Sequence, residues 1–308
     1  MIWLFLFLFS YTCIQPVQAD TLSNGISIQF LASFGGKDAF RNPQALSLDP
    51  RGMLYVVDTG NHRIQKFDAK GKFLASVGGF GKGVMQFNSP VSIWAENGLD
   101  VLIADWNNHR VERYDKDLNY IGSLRSLDTW PEFFHFGFPL DVAFTSQSEL
   151  FCLDGENQRI LKLDVYGNPQ LSFGGIESGQ GRLIRPQRLL ISGGMLYVSD
   201  IEAGKIFVYD TYGNFLYSFG SGILQHPMGM DDGEIHPLIF VADSAKRRIF
   251  VFRNSTLLDS LGDEKLPGMR FGAPVDVALG NGLLYVLDAK RAEVFVFRWT
   301  MRPGENLH

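Results

Sequence analysis

One pattern occurs six times along this chain and leaves few folds open to it. Segments resembling Leu54-Tyr55-Val56-Val57-Asp58 end at Asp58, Asp105, Asp154, Asp200, Asp243 and Asp288, spaced 43 to 49 residues apart. A proline stands 14 to 16 residues before each: Pro43, Pro90, Pro139, Pro186, Pro227 and Pro274. Five residues after each aspartate come Arg63, Arg110, Arg159, Lys205 and Arg248, with Glu293 as the exception. An apolar run then begins at Ile64, Val111, Ile160, Ile206, Ile249 and Val294. Each unit predicts strand a after the proline (45–48 in the first unit), strand b up to the aspartate (54–57) and strand c after the basic residue (64–67). A fourth strand, d, is predicted at 73–79, 120–124, 171–175, 215–220 and 257–262. Four strands in roughly 40–50 residues, without helical periodicity, describe a propeller blade. The expected fold is all-β: a six-bladed β-propeller of four-stranded antiparallel blades. Its repeats fall at about 37–79, 80–124, 125–175, 176–220, 221–262 and 263–299, within one domain at 20–308.

The two ends of the chain predict how the ring closes. After the last strand c, at 294–299, no strand pattern remains for a d strand. The segment 28–34, in Phe30-Leu31-Ala32-Ser33-Phe34-Gly35-Gly36, reads as a d strand placed before the first strand a. Pairing the two completes the sixth blade and covers an edge that would otherwise be open.

The turns between strands b and c carry Asn61-His62-Arg63 and Asn108-His109-Arg110, with Asn157-Gln158-Arg159 in the third unit. In the last three the asparagine is replaced by Ala203, Lys246 and Arg291. With these residues and this spacing, the chain resembles the NHL-repeat propellers over nearly all of 28–299. The resemblance implies a non-catalytic interaction platform. The second class it allows is a propeller hydrolase or lyase with a central metal, lactonase-like or peptidyl-hydroxyglycine-lyase-like.

Residues 1–19 carry no charged side chain, and an apolar run from Ile2 to Phe9 leads to Pro16-Val17-Gln18-Ala19. This predicts a signal peptide cleaved before Asp20 and an extracytoplasmic chain, periplasmic or secreted. If uncleaved, the leader is a membrane anchor. No other stretch is long and apolar enough to span a bilayer. The two cysteines are Cys13, in the leader, and Cys152, so no intrachain disulfide is expected. Cys152 falls in a predicted inner strand and reads as a core thiol. The formal net charge of −5 argues against a nucleic-acid partner. A monomer is expected.

Repetition assigns Asp58, Asp105, Asp154, Asp200, Asp243 and Asp288, with Arg63, Arg110, Arg159, Lys205 and Arg248, to structure, since a catalytic residue is needed once. A short aspartate side chain can take backbone N–H bonds in a tight turn, and the basic residue can pair with it. The start of strand a, innermost in a blade, holds Ala45, Ser92, Asp141, Arg188, Gly229 and Asp276. Asp141, Arg188 and Asp276 thus predict a charged cluster at the channel mouth, able to hold a small polar ligand. Of the six histidines, His135 and His226 fall in d–a loops near the centre. Two are too few for a zinc site, so no metal, cofactor or catalytic residue is assigned. The longest d–a loop, Arg125–Phe138, crowds Trp130, Phe133, Phe134, Phe136 and Phe138 around His135. Phe138 is taken as the counterpart of Phe40 and Phe87, leaving Trp130, Phe133, Phe134 and His135 to meet a protein, peptide or glycan. The competing expectation is a lid over the channel, with the rings packed on Leu127.

Overall fold

The computed structural model describes residues 20–21, 26–233, 238–263, 266 and 268–301. The leader, its cleavage point, Cys13, His236 and His308 lie outside them. Six antiparallel sheets follow one another along the chain. Blade 1 is Ala45–Leu48, Leu54–Asp58, Arg63–Phe67 and Phe73–Gly78. Blade 2 is Pro90–Trp94, Asp100–Asp105, Arg110–Asp115 and Tyr120–Leu124. Blade 3 is Pro139–Phe144, Leu150–Asp154, Arg159–Leu163 and Pro169–Phe173. Blade 4 is Pro186–Ser192, Met195–Asp200, Lys205–Asp210 and Phe215–Phe219. Blade 5 is Pro227–Asp231, Leu238–Asp243, Arg248–Arg253 and Thr256–Leu261. Blade 6 takes Pro274–Gly280, Leu283–Asp288 and Glu293–Met301 from the C-terminal end.

Its fourth strand is the N-terminal Ile26–Gly35, antiparallel to Glu293–Met301. The closing ladder is longer at both ends than the sequence predicts, because Ile26 pairs Met301 and Gly35 pairs Glu293. Ile26, Ile28 and Trp299 are buried together, which explains the extension. Asp20–Thr21 adds a short fifth strand outside it. The strands a touch their neighbours in cyclic order around the centre. By this topology the d–a loops and b–c turns lie at one end of the molecule, and the a–b and c–d turns at the other.

Burial follows position in the blade. Strand b is buried along its length, for example Leu54–Asp58, because it is covered on both faces by adjoining blades. Strand d, at the outer edge, leaves Phe73 and Leu74 exposed. The apolar clusters lie between blades, one running from Trp94 and Leu102 of blade 2 through blade 3 to Leu196 and Tyr209 of blade 4. Cys152 is inside it, and burial pushes its thiol well above the ordinary range.

An apolar residue three positions before each blade's proline plugs the space above the blade: Phe40, Phe87, Phe136, Leu183, Leu224 and Phe271, all buried. In blade 3 this residue is Phe136, which corrects the assignment of Phe138. The residue at that offset is buried, whereas Phe138 is only half-buried. Phe138, one before the proline, lies instead against Trp106 and His109.

Candidate functional site

The six repeat aspartates have no exposed surface. Each fastens a b–c turn to the d–a loop that enters its own blade. Asp58 accepts from Arg41 N–H, Asn61 Nδ2, Arg63 Nε and Gln65 Nε2. Asp105 accepts from Asn88 N–H, Asn108 Nδ2 and Arg110 Nε. Asp154 takes Asn157 Nδ2 and Arg159 Nε. Where the asparagine is lost, the backbone N–H of its replacement donates directly: Ala203 to Asp200, Lys246 to Asp243 and Arg291 to Asp288. The turn survives the substitutions because the main chain supplies the donor. The next residue is left-handed in every blade, at φ 54, 52, 47, 54 and 59 for His62, His109, Gln158, Arg247 and Ala292, with Gly204 also at 59. In blades 1 and 2 the histidine also reaches the following loop. His62 Nδ1 accepts Ser89 N–H at 3.0 Å, and His109 Nδ1 lies 2.9 Å from Gly137 O.

The channel is closed at the d–a end. Arg188, 6% exposed, donates to Gln44 O, Val91 O and Gln187 O, carbonyls from blades 1, 2 and 4. Asp141 and Asp276 accept backbone N–H groups across blade boundaries, from Leu189 at 2.7 Å and Leu46 at 2.9 Å. Ser92 also donates to Asp141. Farther along, Asp231 accepts Leu279 N–H and Ser47 Oγ accepts Ala95 N–H. Strand a is the inner edge of each blade, and its unpaired N–H groups need acceptors that the neighbouring backbone does not offer. These side chains supply them.

A cavity of about 230 Å³ lies beyond Arg188 and reaches the a–b turns. Asp141, Asp276, Glu96, Asp231 and Asp232 line it. The charged cluster therefore lies at the bottom of a pocket on the end opposite the d–a loops, not at a mouth facing them. None of the described histidines lines the cavity. Among the described residues no three His, Cys, Asp or Glu side chains are grouped to hold a metal ion. Loss of hydration raises the proton affinity of Asp141, Asp231 and Asp276, the last to about 7. Glu96 is raised by confinement and by the charges of Asp231 and Asp232. Its side chain is exposed at the rim, where solvent screens its interactions.

A pH dependence follows from Asp276. From its ordinary value of 3.8 up to about 7 the folded protein keeps a proton that the unfolded chain has lost. Stability should therefore fall as pH rises through that window and level off above it, an effect of order 4 kcal/mol. Thermal melting of Asp276→Asn should show a flatter profile than the parent between pH 5 and 8. An unchanged profile would mean that the carboxyl titrates normally.

The long loop Arg125–Phe138 is folded onto its blade. Trp130 is 8% exposed, packs on Phe136 and belongs to the core, so it is no surface anchor. Arg159 donates to Phe133 O and His135 O, and Ser126 Oγ bonds Phe136 N–H. His135 Nε2 lies 3.1 Å from Trp130 O. Phe134 is half-buried against the same core and stacks near Phe133, which is 61% exposed. The lid expectation is corrected as well: Leu127 is exposed, and no residue of the loop lines the cavity. The order of the sequence could not reveal which ring turns inward; the offset from the proline could.

The NHL repeat family model matches residues 40–67, the first three strands of blade 1. Over 130 residues, 41% of the chain, it is 29% identical to the Protein brain tumor of Drosophila melanogaster. The match spans 12% of that protein's length. All six blades carry the same buried aspartate as the matched one. The chain is a six-bladed propeller with an NHL repeat in its first blade. Solved structures share its fold at low identity. Streptogramin B lyase has a TM-score of 0.62 at 8% identity, covering 90% of this chain and 98% of that one. Virginiamycin B lyase from Staphylococcus aureus has 0.60 at 9%, covering 89% and 99%. A protein of unknown function from Bacteroides thetaiotaomicron has 0.67 at 14%, covering 93% and 77%.

Two groups of residues on this propeller escape a sequence reading. Glu96, Asp231 and Asp232 come together only because strand a ends at the same level in every blade. Phe80, Val84 and Met85, Leu127 and Phe133, and Ile176 and Ile184 are exposed on the three successive d–a loops entering blades 2, 3 and 4. Their sequence signal is an apolar residue in a d–a loop, which a buried plug such as Phe87 shares.

Proposed function

We propose that this propeller is a non-catalytic binding module acting outside the cytoplasm, and that a protein segment docks on the d–a loops entering blades 2 to 4. The observation that carries this reading is the run of exposed apolar side chains from Phe80 through Phe133 to Ile184. Monomers rarely leave such residues together in water without use. The loops are already ordered, with Arg110 and Arg159 fastening them to their blades, so docking carries little ordering cost. The Drosophila melanogaster relative and the family match support an NHL repeat, and the lyases support the fold alone. A metal-centred hydrolase or lyase would have to use the channel cavity, where Asp141, Asp231 and Asp276 already bind inter-blade N–H groups.

Photo-cross-linking side chains at positions 80, 133 and 176 test the reading, with controls at 166 and 212 on the opposite end. A common adduct from the first three and none from the controls is expected. Adducts confined to the controls, or a glycan in place of a protein, would overturn it. Phe133→Ala should leave melting within about 0.5 kcal/mol of the parent, as an exposed substitution does. Trp130→Ala should lose about 3–5 kcal/mol, as a buried ring does. Equal melting of the two variants would contradict the core position of Trp130.

A further inference from the structure

We propose that Asn254 is an N-linked glycan acceptor. The proposal rests on the extracytoplasmic reading of the leader. Asn254-Ser255-Thr256 has an asparagine, a residue other than proline and a threonine, and no other asparagine in the chain is followed two positions later by Ser or Thr. That pattern is the acceptor signal for N-glycosylation and needs a surface position in a secreted chain. The fold provides one.

Arg253 pairs directly with Thr256, so Asn254 and Ser255 form the two-residue tip of the c–d hairpin of blade 5. Their φ values are 46 and 66, the doubly left-handed turn that asparagine favours at its first position. Asn254 and Thr256 are exposed. Blades 1 to 4 build this turn differently. There Asp68, Asp115, Asp164 and Asp210 accept the N–H groups two and four residues on. The turn asparagines Asn119, Asn168 and Asn214 are tied to those carboxylates. Blade 5 drops the aspartate, and the Asn254 side chain enters no hydrogen bond among the described residues. A bulky glycan there would disturb no buried group. It would also project from the end opposite the d–a loops and leave the proposed docking face open.

The co-reactant is a lipid-diphosphate-linked oligosaccharide. The Asn254 Nδ2 bonds to the anomeric carbon of the first sugar, the bond from that carbon to the lipid-diphosphate oxygen breaks, and the amide loses one proton. The test is secretion of the full chain, under its own leader and in parallel under a foreign one, from cells that carry out N-glycosylation. Under its own leader, the secreted protein should shift in mobility on treatment with an amide-cleaving glycosidase, with position 254 then read as aspartate by mass spectrometry. Asn254→Gln and Thr256→Ala should abolish the shift, and Thr256→Ser should retain it. Secreted chain unmodified at 254 under both leaders would overturn the acceptor assignment. Modification under the foreign leader alone would overturn the proposal through the localisation reading instead, with the acceptor geometry intact.

Discussion

A chain lacking residues 20–36 is expected to lose at least 5 kcal/mol of stability and to self-associate. The deletion removes the whole of Ile26–Gly35, which pairs with Glu293–Met301 along the outer side of blade 6. Ile26 and Ile28 are buried, and Phe30 meets Phe297 edge to face at 5.7 Å. Each large buried side chain removed costs roughly 2–5 kcal/mol, and the two isoleucines together with the half-buried Phe30 approach the total stability of an ordinary domain. The deletion also frees the backbone N–H and C=O groups of Glu293–Met301. An open apolar edge is a template for pairing with another chain. Melting followed by circular dichroism, with light scattering for size, checks both effects. A synthetic peptide of residues 26–36 should restore part of the lost stability by adding the strand back. A truncated protein that melts with the parent and stays monomeric would show that the ring closes without its N-terminal strand.

Asp105→Ala should cost about 3–5 kcal/mol, the range for breaking a buried ion pair from one side. Its carboxylate has no exposed surface, and Arg110 beside it is 3% exposed. The carboxylate pairs with Arg110 Nε at 2.9 Å and also receives Asn88 N–H and Asn108 Nδ2. Burial raises the proton affinity of Asp105 despite these donors, so the site is costly to hydrate and costly to leave half-made. Arg110 keeps Glu112 at 2.8 Å and the carbonyl of Gln86, which limits the damage to the blade 2 turn. Asp200→Ala breaks no ion pair among the described residues and strands only backbone donors, those of Ile184, Arg185, Glu202 and Ala203. Its loss should be smaller than that of Asp105→Ala. Chemical denaturation of the two variants side by side measures the difference. Equal losses would mean that the arginine contributes nothing beyond the turn.

Fold and ring closure were legible in the residues alone. Six registered copies of proline, apolar strand, aspartate and basic residue define local hairpins, and local hairpins repeat whatever surrounds them. The same repetition made the aspartates structural, and the spare d strand at 28–34 could pair only with the unmatched strand c at 294–299. Tertiary structure decided everything that depends on which way a loop or an inner strand faces. Trp130 and Phe133 are three residues apart in one aromatic stretch, yet one is core and the other meets solvent, because only the residue three before Pro139 is drawn under the loop and Trp130 packs upon it. Asp141, Arg188 and Asp276 were visible as charges on inner strands. That Arg188 would seal one end of the channel, and that the carboxylates would open toward the other, depends on contacts between blades far apart in the chain, such as Arg188 with Gln44 O, 144 residues away, and Asp276 with Leu46 N–H, 230 residues away. Periodicity is a property of neighbours along the chain; the channel is made where six such neighbourhoods meet, and their meeting is fixed by the ring.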